Sequence, residues 1–342
     1  MVAPVPGRLD VLPMRSPQDF VPSNHHLVLS PMLPVLAAVW WNVNPILHSF
    51  GPWTVAGYEL GPIPLRWYGL LFMLPFVLGT FLTTHIYRAE RVSPQWVEVL
   101  TIYVLIGTIV GARLGHMLFY DLQALQADPL VVFKIWQGGL ASHGATIALP
   151  LACWLFARRH RFDYLWVLDR LVLVVALAGV CIRTGNLMNS EIGGKPTSVP
   201  WAFLFPRDTA HLLHGVAVPR HPTQIYEALF CVFLLGLLYW TWNRTRERTP
   251  RGQLLGLFLV LLFIQRFLGE YLKENQVAFE NGRLLNQGQL LSIPCIVIGI
   301  WLLWRAGKDP ENPYGYAPRD LGQEEGPQPA QAGGPPPVGR PR

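Results

Sequence analysis

The side chains of this chain that could do chemistry gather near one end of its apolar stretches. Arg66 and Tyr68 open the first stretch, Arg113 lies late in the second, and His143 comes early in the third. Arg183, Asn186, Asn189 and Glu191 end the fourth; His221, Gln224, Tyr226 and Glu227 lead into the fifth; Arg266 and Glu270 close the sixth. An arginine fork holds a phosphate through two parallel N–H bonds. An imidazole takes or gives a proton near neutral pH. Guanidiniums, an imidazole, a phenol, carboxylates and amides collected at one depth therefore suit an anionic substrate and a proton transfer.

Taken singly, each residue has a plainer reading. An arginine near a helix end often snorkels to lipid headgroups. Arg266 and Glu270, four residues apart, fit a simple pair on one helix face. A lone histidine such as His143 is more often packed and hydrogen-bonded than catalytic, and Tyr68, beside Trp67, suits an aromatic belt. It is their coincidence in depth that argues for a shared chamber, because ionisable groups in a bilayer are costly and tend to face a cavity or path. His85 and His143 fall on opposite sides, so no metal set with the usual spacing is present. Neither a GxxxxGK[ST] loop nor a GxSxG elbow occurs. No cofactor and no metal is expected.

These residues need elements to hold them. The chain has 342 residues, 51% hydrophobic and 14% charged, against about 25% charged in an average soluble domain. Apolar runs fall at 65–87, 96–120, 139–157, 165–187, 224–242, 253–272 and 287–304. Each is near the ~20 residues that a helix needs to cross about 30 Å of hydrocarbon. The pattern predicts an all-α polytopic membrane protein with seven transmembrane helices. The net charge of +6 reflects topology rather than nucleic-acid binding. Arg88, Arg91, Arg158, Arg159, Arg161, Arg244, Arg246, Arg248, Arg251, Arg305 and Lys308 follow odd-numbered spans, and basic loops stay cytoplasmic. The N-terminus is then outside, the C-terminus inside, and loops 121–138, 188–223 and 273–286 are external. Arg183, 18 residues past Leu165, lies about 27 Å along its helix, near the outer face. Only Glu98, Asp169 and Arg170 fall on the inner side.

Residues 42–308 read as one seven-helix domain. Residues 1–41 read as a poorly defined extension, in which Met32 opens a plausible shorter protein, and 309–342 as a disordered Pro/Gly-rich cytoplasmic tail. The loop 188–223 is long enough for a small external subdomain or flap. Cys153, Cys181, Cys231 and Cys295 all fall inside spans, as apolar core residues rather than disulfide partners.

Six separated motifs, in order, resemble the bacterial prolipoprotein diacylglyceryl transferases. The segment Arg183-Thr-Gly-Asn186-Leu-Met-Asn189-Ser-Glu191 is similar to the family signature. Arg66-Trp-Tyr68-Gly69, the stretch from Gly111 through Arg113 to Tyr120, and Gly139-Leu-Ala-Ser-His143-Gly144 resemble its first three helices. His221-Pro-Thr-Gln224-Ile-Tyr226-Glu227 and Arg266-Phe-Leu-Gly-Glu270 resemble its fifth and sixth. The likeness runs from about Asn42 to Arg305. It departs modestly at Ala145, where a second glycine is common.

The resemblance implies a reaction. An sn-1,2-diacylglyceryl group passes from phosphatidylglycerol to the lipobox cysteine of a prolipoprotein that still carries its signal peptide. A thioether forms and glycerol phosphate leaves, at the outer leaflet of the bacterial plasma membrane. Arg183 and Arg266 are expected on the phosphate, His143 as base or headgroup-orienting group, and Glu270 as the partner holding Arg266. Tyr68 is expected on the lipid glycerol. Arg113, Asn186, Asn189, Glu191, His221, Gln224 and Tyr226 are expected to bind substrate or order the Arg183 fork. Two other classes compete: a secondary transporter, which would want polar sites near the midplane, and a non-catalytic lipid-binding protein, which leaves His143 unexplained.

Overall fold

In the computed structural model, which describes residues 38–55, 58–134, 139, 141–273 and 285–308, the apolar stretches fold as helices. They are α1 (Trp67–Ala89), α2 (Gln95–Phe119), the short α3 (Leu122–Ala127), α4 (Ser142–His160), α5 (Tyr164–Met188), α6 (Thr223–Thr245), α7 (Gln253–Gly269) and α8 (Gln287–Lys308). Six of them, α1, α2, α5, α6, α7 and α8, are long and apolar enough to cross a membrane. Their outward faces carry exposed apolar side chains at helical spacing, such as Met73, Val77 and Phe81 on α1 and Ile102, Ile106 and Val110 on α2. The molecule is a mostly helical, multi-pass membrane protein. The helix expected as a seventh span, α4, does not reach the same apolarity. Its 19 residues begin with Ser142 and His143 and end with Arg158, Arg159 and His160, which shortens the apolar middle.

Most close packing joins successive long helices, and one close pair, α1 with α5, joins helices far apart in the sequence. The most extensive packing joins α2 to α4, α7 to α8, α1 to α5 and α5 to α6. Small residues make this possible, because helices in lipid associate through close backbone packing rather than expulsion of water. Gly107, Gly111 and Gly115 recur every four residues on α2 and face Gly144, Ala148 and Ala152 of α4. A Cβ at Gly115 would stand 2.6 Å from the Gly144 Cα, and one at Gly107 would stand 2.7 Å from the Ala152 Cβ. Gly256 of α7 meets Gly299 of α8 in the same way.

The largest buried side chains, among them Tyr87, Phe156, Trp166 and Trp242, cluster at the end of the bundle where α5 begins. At its centre Glu90, just past α1, accepts from Arg170 Nε and Nη2 at 2.9–3.2 Å, from Trp166 Nε1 at 3.0 Å and from Trp242 Nε1 at 2.6 Å. Next to Arg170, Asp169 accepts from the backbone N–H of Gly252 (2.7 Å) and Leu255 (2.8 Å). It thereby satisfies donors that the first turn of α7 cannot satisfy itself. Asp163 caps α5 by accepting from Trp166 N at 2.8 Å.

Three short strand pairs sit at the opposite end and add to the all-α expectation. Ile46–Phe50 pairs antiparallel with Ile63–Arg66, and Trp53–Val55 with Tyr58–Leu60. Val39–Trp40 pairs parallel with Phe203–Leu204, and Trp41 Nε1 donates to the Leu187 carbonyl at 2.8 Å. The fold thus begins inside the expected extension. The remainder of that extension (1–37, with Met32), the expected tail (309–342) and most of loop 273–286 lie outside the described residues. All four cysteines lie in helices as free thiols, three buried and Cys295 half-buried.

Candidate active site

The C-terminal end of α5 brings together most of the residues singled out above. The helix closes as Ser190 N donates to the Leu187 carbonyl and Glu191 N to the Asn186 carbonyl, both at 3.0 Å. That turn folds Glu191 back over the last helical turn. Asn186 Nδ2 and Asn189 Nδ2 both donate to Glu191 Oε1, at 2.9 and 3.2 Å, while Asn186 Oδ1 accepts from Arg183 Nη1 at 3.2 Å. Asn186, Asn189 and Glu191 therefore order one edge of the Arg183 fork. Gly185 has its own reason: the Tyr68 ring of α1 lies against it, and a Cβ there would stand 2.9 Å from Tyr68 Cδ2. Tyr68 is held within electrostatic range of Arg183 and Glu191.

Helix α6 supplies the facing wall. Gln224 is buried and donates to the Glu191 carbonyl at 2.7 Å. One turn on, Glu227 meets Arg183 Nε with Oε2 and Lys273 Nζ with Oε1. Lys273 also lies 3.6 Å from Glu270 Oε1, and Glu270 Oε2 accepts from Asn286 Nδ2 at 3.0 Å. Glu270 is thus committed to Lys273 and Asn286. The expected link between Arg266 and Glu270 is not among the ion pairs of the described residues. Helical spacing fails there because α7 ends at Gly269 and continues as a tighter 3₁₀ turn over Glu270–Leu272, which swings the carboxylate round. Arg266 is half-buried, within electrostatic range of Cys295 on α8.

Loop 189–222 is knitted to this wall through its backbone. Gly194 N donates to the His221 carbonyl (2.9 Å), Lys195 N to the Leu272 carbonyl (2.7 Å), and Gly194 forms a β-bridge with Lys273. Arg220, buried, donates to the Gly194 carbonyl at 3.1 Å and the His211 carbonyl at 3.2 Å. At the loop's edge the Tyr226 hydroxyl accepts from Trp201 Nε1 at 2.7 Å and stands 3.3 Å from His221 Nδ1.

Two expected residues are placed differently. Arg113 is only 4% exposed, and its fork donates to the carbonyls of Val131 (2.6 Å), Val132, Lys134 and Gly139 (3.2 Å each). Its donors hold the loop that leads into α4. His143 stands exposed in the first turn of α4, beside the Gly144 seam. No hydrogen bond, ion pair or ring contact joins it to the Arg183 group among the described residues. Glu90, Arg220 and Lys273 were not singled out from sequence. Their signal lies in contacts across the fold and not in local spacing.

What the Arg183 end offers a ligand follows from what is left over. Arg183 Nη2 makes no hydrogen bond among the described residues. Four buried polar atoms beside it, Asn189 Oδ1, Ser190 Oγ, Gln224 Oε1 and Glu227 Oε2, make no hydrogen bond either, although Glu227 Oε2 lies in ion-pair contact with Arg183. Buried polar groups are nearly always paired, so these atoms are free to bond to water or to a ligand. Among the described residues no group of three His, Cys, Asp or Glu could hold a metal ion.

Residues 56–305 match the family described as prolipoprotein diacylglyceryl transferase. Three similar proteins bear the name phosphatidylglycerol–prolipoprotein diacylglyceryl transferase. That of Porphyromonas gingivalis is 44% identical over 283 residues, 80% of this chain and 96% of its own length. That of Tolumonas auensis is 44% identical over 275 residues (79% and 98%), and that of Chloroherpeton thalassium 39% identical over 274 (79% and 95%). With its signature segment gathered at the end of α5 and this likeness running nearly the whole length of its relatives, the chain is a transferase and belongs to the prolipoprotein diacylglyceryl transferase family.

Proposed function

We propose that this chain moves the sn-1,2-diacylglyceryl group of phosphatidylglycerol onto the lipobox cysteine of a prolipoprotein bearing its signal peptide, and that the Arg183 end of α5 is where it does so. The observation that carries the reading is the open Arg183 fork, with Nη2 unengaged beside orphaned polar atoms of Asn189, Ser190 and Gln224. In the reaction the cysteine sulfur attacks the glycerol carbon that bears the phosphate. A C–S bond forms, the C–O bond breaks, its electron pair leaves on the phosphate oxygen of glycerol phosphate, and the thiol proton is carried away.

Arg183 binds the phosphate by charge-assisted bonds in a poorly screened site and stabilises charge on the departing oxygen. Arg266 supplies a second guanidinium from α7. Tyr68 reaches the lipid glycerol. The thiolate is the nucleophile, and a free cysteine has a pKa of about 8.5, so a base speeds the attack; His143, exposed at the head of α4, is the side chain suited to that task. His221, Gln224 and Tyr226 line the α6 side.

For topology we read α4 as a seventh crossing and residues 42–308, with the strand at Val39–Trp40, as the transferase unit. The Arg183 end faces the outer leaflet of the bacterial plasma membrane, the N-terminus is outside and the C-terminus cytoplasmic. Support comes from the opposite ends of α6 and α8, where Arg244 lies 3.8 Å over the Trp240 ring and Lys308 3.6 Å over Trp304. Basic and aromatic residues are typical of a cytoplasmic interface.

The test is a mass assay in detergent with phosphatidylglycerol and a lipobox peptide. The expected result is a diacylglyceryl mass gain on the peptide cysteine with the wild-type protein and none with Arg183→Ala. No gain from folded wild type would refute the reading.

A further inference from the structure

Glu227 divides its carboxylate between two cations, Oε2 facing Arg183 Nε and Oε1 facing Lys273 Nζ. A carboxylate and a guanidinium left to themselves favour two parallel bonds; on the Nε edge these would engage Nε and Nη2 together. Here that closure has not happened. Glu227 Oε2 comes closest to Nε without making a hydrogen bond, Asn186 takes Nη1, and Nη2 makes no hydrogen bond among the described residues. The oxygen that would close onto Nη2 is the one facing Lys273.

Lys273 is well placed to hold it there. Its side chain is 5% exposed, and Glu270 Oε1 stands 3.6 Å away as a second counter-charge. Its backbone is tied on both sides: its N–H donates to the Glu270 carbonyl at 3.2 Å, and it bridges Gly194 of the long loop. The backbone ties fix where the side chain starts, and burial with two carboxylates holds the ammonium at its end.

We propose that Lys273 is a positioning residue that keeps Arg183 open: by occupying one oxygen of Glu227 it prevents a two-bond Glu227–Arg183 pair and leaves Nη2 for the phosphate of the lipid donor. The inference rests on the reading of Arg183 as the phosphate-binding group. With Lys273 removed, Glu227 turns its second oxygen to Nη2, and the fork is spent on protein. The effect falls on the lipid and not on the peptide.

The experiment compares Lys273→Met, Lys273→Arg and the double variant Lys273→Met/Glu227→Gln in the full-length protein, with KM measured separately for phosphatidylglycerol and lipobox peptide. Losing a hydrogen bond to a charged group predicts a KM for phosphatidylglycerol raised by about tenfold or more in Lys273→Met, with the peptide KM unchanged within about twofold. Glu227→Gln on top of Lys273→Met relieves the defect, because a neutral amide no longer competes for the guanidinium, and Lys273→Arg restores most of it. An unchanged lipid KM in Lys273→Met, or a double variant no better than the single, overturns the proposal; a merely structural lysine gives the second result. Where Lys273→Met does not fold, Lys273→Gln takes its place. The same variants are read by phosphatidylglycerol binding in mixed micelles, followed by tryptophan fluorescence. A wild type that binds the lipid but transfers nothing then sinks the proposed reaction, while weakened binding in Lys273→Met still supports the role of Lys273.

Discussion

Arg170 and Arg183 sit on the same helix, 13 residues or about 20 Å apart, and the protein treats them in opposite ways. Arg170 is 1% exposed. It closes a two-bond pair with Glu90, stacks 4.8 Å over the Trp166 ring, and shares Glu90 with two indole N–H groups. Its one orphan nitrogen, Nη1, faces Asp169 Oδ2 at 4.0 Å. Arg183 has a side chain 23% exposed, a carboxylate that comes closest at its Nε, and a terminal nitrogen that makes no hydrogen bond among the described residues. A buried ion pair whose carboxylate is fully dressed specifies how helices fit. The same guanidinium held at one edge is a tool with a free hand. The difference lies in the neighbours: two tryptophans complete the shell of Glu90, whereas a second cation divides that of Glu227.

The contrast can be broken first at Glu90. Glu90→Ala strands Arg170 in a dry core, a loss of about 3–5 kcal/mol of stability. It should appear as a large drop in melting temperature and folded yield, while transfer per folded molecule is kept. If turnover falls and the melting temperature holds, the Arg170 end is not merely structural. The reciprocal change is Arg183→Lys, which keeps the charge and loses the fork. Turnover should fall by about 10³-fold, at the upper end of what one oxyanion donor contributes, with melting unchanged; wild-type rates would sink the role of the fork. His143→Gln sharpens the question of who takes the proton. A loss of about 10²-fold near neutral pH should shrink as pH rises past the thiol pKa of about 8.5, where the peptide ionises unaided. A loss that stays constant with pH assigns His143 to orientation alone. The smallest effect is expected at Gly185→Ala, where the added methyl meets Tyr68. A cost of about 1–3 kcal/mol and a shifted Tyr68 should raise the KM for lipid more than that for peptide.

Six of the helices were legible because each carries an apolar run of membrane length, and Arg183, Asn186, Asn189 and Glu191 were legible because one helix end and one turn hold them all. What escaped depends on distant chain. Glu90 looked like one more charge after a span until Trp166 and Trp242 closed over it. Lys273 falls just beyond the sixth apolar run, and its meaning comes from Glu227, 46 residues earlier in the chain. Arg266 and Glu270 misled because four-residue spacing implies contact only while the helix stays α, and here it tightens to 3₁₀ at Glu270. The four backbone carbonyls that meet Arg113 arrive from a loop, which no local spacing announces.

The placement of the four cysteines has a consequence for an enzyme whose proposed acceptor is a thiol. Cys153, Cys181 and Cys231 are buried within helices and Cys295 half-buried. The protein carries no well-exposed sulfhydryl of its own to compete with the incoming peptide, which disfavours self-alkylation as a side reaction. A folded sample should also stay nearly silent to a bulky maleimide, which lets the disappearance of peptide sulfhydryl be followed continuously against a quiet background.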